Sequence, residues 1–178
     1  FYLTDDWTNG SIEFRGRTYS GVPLLYDLTA DKVITEVPFS GIQIALPVEK
    51  IKGFSMEGRS FVRLNKDTLT NILPVSGFYE LIYAGQTKLI ARREKNLQRA
   101  IKNGIVIFYY LTKDNYYLFT EGRYFELKGK ASVYNLLQDR KQALKQHARN
   151  NKKRIRRNRE AAFALLAEFY DKTKSGNQ

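Results

Sequence analysis

Phe78-Tyr79-Glu80-Leu81-Ile82-Tyr83-Ala84-Gly85-Gln86-Thr87-Lys88-Leu89-Ile90-Ala91-Arg92-Arg93 is the stretch whose reading decides the fold class. Two runs of aromatic and aliphatic residues, 78–83 and 87–93, flank Ala84-Gly85-Gln86. A glycine-containing break of three residues between strand-forming runs is a hairpin signal. Downstream, 105–111 and 116–120 flank Thr112-Lys113-Asp114-Asn115, which reads as the turn of a second hairpin. Glu121-Gly122 then turns the chain into 124–127.

The same rhythm extends upstream. Ile12 and Phe14 alternate with Glu13 and Arg15, and Gly16-Arg17 reads as a turn. Val22, Leu24, Tyr26 and Leu28 form an apolar row at period two, as do Val33, Thr35 and Val37 after a turn at 29–32. Ile42, Ile44 and Leu46 repeat it, and Pro47 ends that strand because it has no backbone N–H to donate. Glu57-Gly58 precedes a short strand at 61–64. The first nine residues read as an arm, and 65–75 as a loop with one helical turn. Short strands with a turn signal about every ten residues predict an α+β protein: an antiparallel curved sheet or open barrel-like meander, followed by C-terminal helices.

The composition changes at Lys128-Gly129. Ser132 reads as a helix N-cap, ahead of Val133, Leu136, Leu137 and Leu144 at helical spacing. Asn150-Asn151 reads as a left-handed helix stop. Asn158 reads as the cap of a second helix, with Glu160 near its positive end. A competing pattern runs through Leu137, Leu144, Ala148, Ile155, Ala162, Leu165 and Phe169, which would be one long helix. The pattern thus divides the chain into a β-rich domain, 1–127, and a basic helical segment, 128–178, packed on it or projecting from it.

Charge follows the same division. The net charge is +12. Residues 1–127 carry 16 Lys and Arg against 14 Asp and Glu, a net of +2, whereas 128–178 carry 14 against 4, a net of +10. Between Arg140 and Arg159 there are ten basic side chains and no acid. Such a run implies an anionic partner, a solvated helix face, or pairing with acids of the same protein. The candidate binding residues are Arg149, Lys152, Lys153, Arg154, Arg156, Arg157 and Arg159.

Other chemistries have less support. There is no cysteine, so thiolate nucleophiles, thiolate metal sites and disulfides are excluded. The one histidine, His147, lies among cations and reads as a surface helix residue. Asp27 and Asp31 read as turn and capping residues rather than metal ligands. No apolar run reaches the roughly 20 residues that a membrane-spanning helix needs. The 12 Tyr and 11 Phe could stack nucleic-acid bases, but cross-strand aromatic ladders are ordinary sheet packing. No catalytic, metal or cofactor site is assigned.

Asn9-Gly10-Ser11-Ile12 with Val22-Pro23-Leu24-Leu25-Tyr26-Asp27-Leu28, the stretch from Tyr116-Tyr117-Leu118 to Gly122-Arg123-Tyr124-Phe125, and the ending from Asn158-Arg159-Glu160 to Phe169-Tyr170-Asp171 together resemble a family of uncharacterised exported proteins of the Bacteroidota. The shared motifs are turns, hairpins and caps. The resemblance implies a cleaved signal peptide and a place in the periplasm or the outer-membrane-associated envelope, an expectation that a chain beginning at Phe1 fits. It implies no activity. The expected function is therefore a non-catalytic envelope protein that binds a protein partner or an acidic envelope polymer through the basic segment. The alternative is a nucleic-acid-binding module using the basic helix and the aromatic sheet. An enzyme acting on glycan through a carboxylate pair is a third possibility. The sequence leaves the oligomeric state open.

Overall fold

The computed structural model describes residues 3, 6–66 and 75–175. It shows an α+β fold: a ten-stranded antiparallel open sheet followed by helices. The strands are β1 (Thr8–Phe14), β2 (Arg17–Asp27), β3 (Lys32–Glu36), β4 (Gln43–Ala45), β5 (Ile51–Met56), β6 (Arg59–Leu64), β7 (Gly77–Ala84), β8 (Lys88–Lys102), β9 (Ile105–Thr120) and β10 (Arg123–Leu127). Their order is β10-β9-β8-β7-β6-β5-β1-β2-β3-β4. Two meanders, β1 to β4 and β5 to β10, are joined where β1 pairs with β5.

Four hairpins use two-residue turns with a glycine second. In Arg15-Gly16, Glu57-Gly58, Asn103-Gly104 and Glu121-Gly122 both residues have positive φ. This geometry matches the twist of the flanking strands, and glycine adopts it without steric cost. Asn103-Gly104 corrects the reading of 105–120. Residues 112–115 do not turn; β9 runs straight through them, and the hairpin closes ten residues earlier. Lys113 and Asp114 are polar because this part of the strand is exposed. Asp114 accepts an ion pair from Arg93 on β8 at 2.8 Å. The pattern reading also assigned no strand to β5, where buried Ile51 and Phe54 stand an odd number of residues apart. A bulge opposite, between Glu13 and Phe14, shifts the register and breaks the alternation.

Contacts divide the chain into two compact units. The first takes residues up to Asn65, with Val75–Glu80 and Arg92–Asp114; the second takes Leu81–Ala91 and the chain from Asn115. In the first unit, Tyr26, Phe54, Phe61 and Phe78 form an aromatic core. Tyr26 meets the other three edge-on at 5.0, 5.2 and 5.9 Å, and Phe54 stacks on Phe61 at 4.7 Å. Ile12, Leu24, Val33, Ile51 and Met56 complete it. In the second unit, Leu89, Ala91, Tyr116, Leu118 and Leu127 of the strands pack against the helices.

Beside the first core lies a buried polar knot. The β2–β3 turn is closed by Asp27, whose Oδ1 accepts the N–H groups of Thr29 and Ala30. This presents Asp31 to three partners: the Tyr26 hydroxyl donates to it at 2.6 Å, the Arg92 guanidinium at 2.9 Å and the Phe78 N–H at 3.3 Å. Arg92 also donates to the Phe78 carbonyl. Gly77 is required here: its φ is +156°, and a Cβ would strike the Asp31 carboxylate and the Arg92 guanidinium. Burial raises the Tyr26 hydroxyl pKa, and the Asp31 charge raises it further, so it remains a donor. A second knot joins Glu80 to Arg59 (2.6 Å) and Arg93 (2.7 Å). Burial alone would raise the Glu80 pKa, but hydrogen bonds from Arg59 and then Arg93 outweigh it and hold the carboxyl below its usual range.

Two outcomes follow from these knots. Asp31→Ala leaves the buried Arg92 charge with Glu94 alone, 3.8 Å away; removing one partner of a buried pair costs up to about 3–5 kcal/mol, and chemical denaturation should show a loss approaching that order. Because the folded pKa of Glu80 is depressed, its contribution is complete above the unfolded value of about 4.3 and is lost as the pH falls through the folded value. The melting temperature should therefore fall on acidification below about pH 4, and Glu80→Gln should flatten that fall while lowering stability at neutral pH.

Candidate anion-binding face of the helical unit

After Leu127 the chain leaves the sheet and forms α1 (Lys130–Leu136), α2 (Lys141–Asn150), α3 (Lys152–Ile155) and α4 (Arg159–Ser175). The helical segment is neither one helix nor two. Yet six of the seven residues in the seam expected of a single helix, Leu137, Leu144, Ala148, Ile155, Ala162 and Leu165, are buried, and the seventh, Phe169, is half-buried. Short helical pieces present the same stripe to the strands, and at two of the breaks an asparagine side chain satisfies freed backbone groups.

Those breaks differ in detail from the sequence reading. Gly129, not Ser132, is the N-cap of α1; Ser132 sits inside the helix and its hydroxyl accepts the Lys128 N–H. Asn151 ends α2, but with φ −103°, outside the left-handed region. It satisfies the helix end by donating its amide to the His147 carbonyl at 2.9 Å. The left-handed residue is Arg157, at φ 63°. Asn158 caps α4 as expected, accepting the Ala161 N–H at 2.9 Å. His147 is half-buried and stacks on Phe169 at 4.0 Å.

With the apolar stripe turned inward, the cations of α2 and α3 turn outward. Lys130, Tyr134, Lys145, Arg149 and Lys152 line a groove of about 440 Å³ floored by Ala148. An adjoining groove of about 280 Å³ is lined by Lys128, Lys130, Arg157 and Arg159, over Phe163. Lys130 belongs to both. Among the described residues, Lys128, Lys130, Lys145, Arg149, Lys152 and Arg157 form no ion pair with a carboxylate. Burial raises the Tyr134 hydroxyl pKa against the opposing pull of Arg149, which leaves a phenol donor at the groove wall.

The seven candidate residues therefore separate. Arg149 and Lys152 line the larger groove, and Arg157 and Arg159 the smaller. Arg154 lines a different hollow, with Glu168 and Lys172. Lys153 and Arg156 are exposed and line none of these. Arg159 is also structural: its guanidinium donates to the carbonyls of Leu127 and Lys128 and lies over the rings of Tyr116 and Phe163. Lys128, Lys130, Lys145 and Tyr134 were not singled out from the sequence. Lys145 lay inside the basic run, but Lys128 and Lys130 precede it and reach the grooves only through the fold.

No family model, curated protein or solved structure matches this chain.

The division between structural and solvated cations is measurable. Arg159→Ala removes two long charge-assisted bonds, 3.3 and 3.5 Å, and two cation–π contacts at an exposed site and should cost at most about 1 kcal/mol. Lys153→Ala should leave the unfolding midpoint unchanged. Equal effects would show that Arg159 is not an anchor.

Proposed function

We propose that this protein is a non-catalytic binding module that grips an anionic polymer with the cationic grooves of its helical unit. The observation that carries the proposal is the convergence of Lys128, Lys130, Lys145, Arg149, Lys152 and Arg157 on two adjoining grooves without carboxylate partners. Elsewhere in the chain, acids near arginines are already engaged: Asp31 with Arg92, Glu80 with Arg59 and Arg93, Asp114 with Arg93. The six groove cations are held apart from that internal pairing. Adjoining grooves sharing a lysine suit a ligand with anionic groups in series better than a single small anion. A setting in the cell envelope, where acidic polymers are at hand, rests on the family resemblance.

The test uses the full chain with inorganic polyphosphate, poly-glutamate and mixed-sequence duplex DNA. Affinity for polyphosphate should fall steeply with salt, by about 10-fold or more between 50 and 200 mM if several charges are neutralised. Reversing Lys130 and Arg149 to Glu should abolish binding at low salt. Reversing Lys52, an exposed lysine paired with Glu13, should not. Binding that survives the groove reversals would overturn the proposal. A marked preference for DNA over polyphosphate would favour the nucleic-acid alternative.

A further inference from the structure

The longest strands extend well beyond their neighbours. β8 has 15 residues and β9 has 16, whereas β7 has 8 and β10 has 5. β10 pairs with β9 only at Tyr116 to Thr120. Beyond that point the outer parts of β8 and β9 form a ribbon closed by Asn103-Gly104. Isolated two-stranded ribbons are marginal in water; three or more strands with an apolar face are needed for stability. This ribbon is also unusually apolar for a surface element. Leu97, Ile101, Ile105, Val106, Ile107, Phe108, Tyr109 and Leu111 are all exposed, Ile101 at 69% and Phe108 at 65%.

The ribbon has two edges of different character. The β8 edge carries exposed Arg99 and Lys102. A like-charged strand added there would meet repulsion, and exposed cations are how sheets commonly protect an edge. The β9 edge has no charge from Ile105 through Leu111. A row of backbone donors and acceptors on an apolar, uncharged strand is a template for another strand.

We infer that β9 is a homodimerisation edge: its outer half pairs antiparallel with the same stretch of a second copy, about a two-fold axis at Phe108. The sequence of the stretch is self-complementary in that register. Ile107 falls opposite Tyr109, and Ile105 opposite Leu111. Pairs of aromatic and β-branched residues are among the favourable cross-strand pairs. No charge faces a like charge, because Lys102 and Lys113 fall outside the paired segment. The union makes a four-stranded sheet from two ribbons, and the two-fold relation closes the assembly without leaving a propagating end. This contact lies in the first unit and is independent of the anion-binding grooves. The two also respond oppositely to salt. Each copy carries +12, so screening should favour dimerisation, whereas it weakens polyanion binding.

Sedimentation of the full chain should give twice the monomer mass of 20.7 kDa, with the dimer fraction rising with concentration and with salt. Phe108→Lys sets two ammonium groups together at the axis and should give a monomer with an unchanged circular dichroism spectrum. The absence of native cysteine permits a second reading that does not depend on that variant folding. In Phe108→Cys the two thiols face each other at a Cα separation of about 4.5–5.5 Å, within the range of about 4.4–6.8 Å that a disulfide spans. Mild oxidation should link it rapidly, and should link Ile101→Cys, on β8, far more slowly. A wild-type monomer at all concentrations, equal linking of the two cysteine variants, or a dimer that persists in Phe108→Lys would overturn the inference. So would a monomer that binds anionic phosphatidylglycerol vesicles through the ribbon, since the face would then belong to lipid.

Discussion

The first unit depends on the pair made by Asp31 and Arg92. The Asp31 carboxylate sits on the β2–β3 turn, and its partners come from β7 and β8. In the sheet order, β2 and β7 are separated by β1, β5 and β6. A flat sheet would hold them far apart, since neighbouring strands lie about 4.8 Å from one another. Their direct contact means that this part of the sheet curls over its own apolar face, and the packed rings of Tyr26, Phe54, Phe61 and Phe78 fill the hollow. The aromatic core supplies the drive to curl. The ion pair fixes where the curl stops, because a buried guanidinium is tolerated only with a carboxylate beside it. Gly77 leaves the space in which the Asp31 carboxylate and the Arg92 guanidinium meet.

The same rule explains the uneven charge. Arginines that point into the folded protein must be neutralised where they lie, so Arg59, Arg92 and Arg93 have claimed Glu80, Asp31 and Asp114. These pairs take up part of the acid that balances the cations of the β-rich residues. The cations of α2 and α3 face water, where an unpaired ammonium or guanidinium costs little. The excess positive charge is thus a property of the solvated surface of the helical segment, part of it gathered at two grooves and part of it spread elsewhere, with an apolar stripe behind it.

Much of this was legible in the sequence, and the misreadings have local causes. Pattern revealed β1, β2, β3 and β6, each beside a clear turn signal; in β3 the alternation matches burial, with Val33 and Thr35 buried. It failed at β5, where a bulge shifts the register, and at outer β9, where exposure on both sides lets polar residues such as Lys113 and Asp114 sit mid-strand. The Asn103-Gly104 turn went unread, because the more polar stretch at 112–115 reads as the break. The basic run, its flanking apolar stripe and the Asn158 cap were readable because they are local. The grooves were not. Lys128 and Lys130 meet Lys145, Arg149 and Lys152 only after α1 and α2 have packed, and Arg159 was indistinguishable from its neighbours until its carbonyl partners were in place.

The edges of the sheet are treated unequally, and the difference is physical. β4 is three residues long and is followed by Pro47, so it offers little to an incoming strand. β10 is five residues long, with Arg123 and Glu126 exposed. Outer β8 carries exposed Arg99 and Lys102. Each of these edges has a device that discourages pairing: shortness, proline or charge. Outer β9 has none of them over its seven residues from Ile105 to Leu111, and it has the strongest strand-forming composition in the chain. A solvated edge of that kind would be a standing hazard for disordered aggregation. Closure against an identical strand removes the hazard by satisfying the backbone groups and burying the side chains in one finite contact, which is the simplest account of why the ribbon lacks the protection its neighbours have.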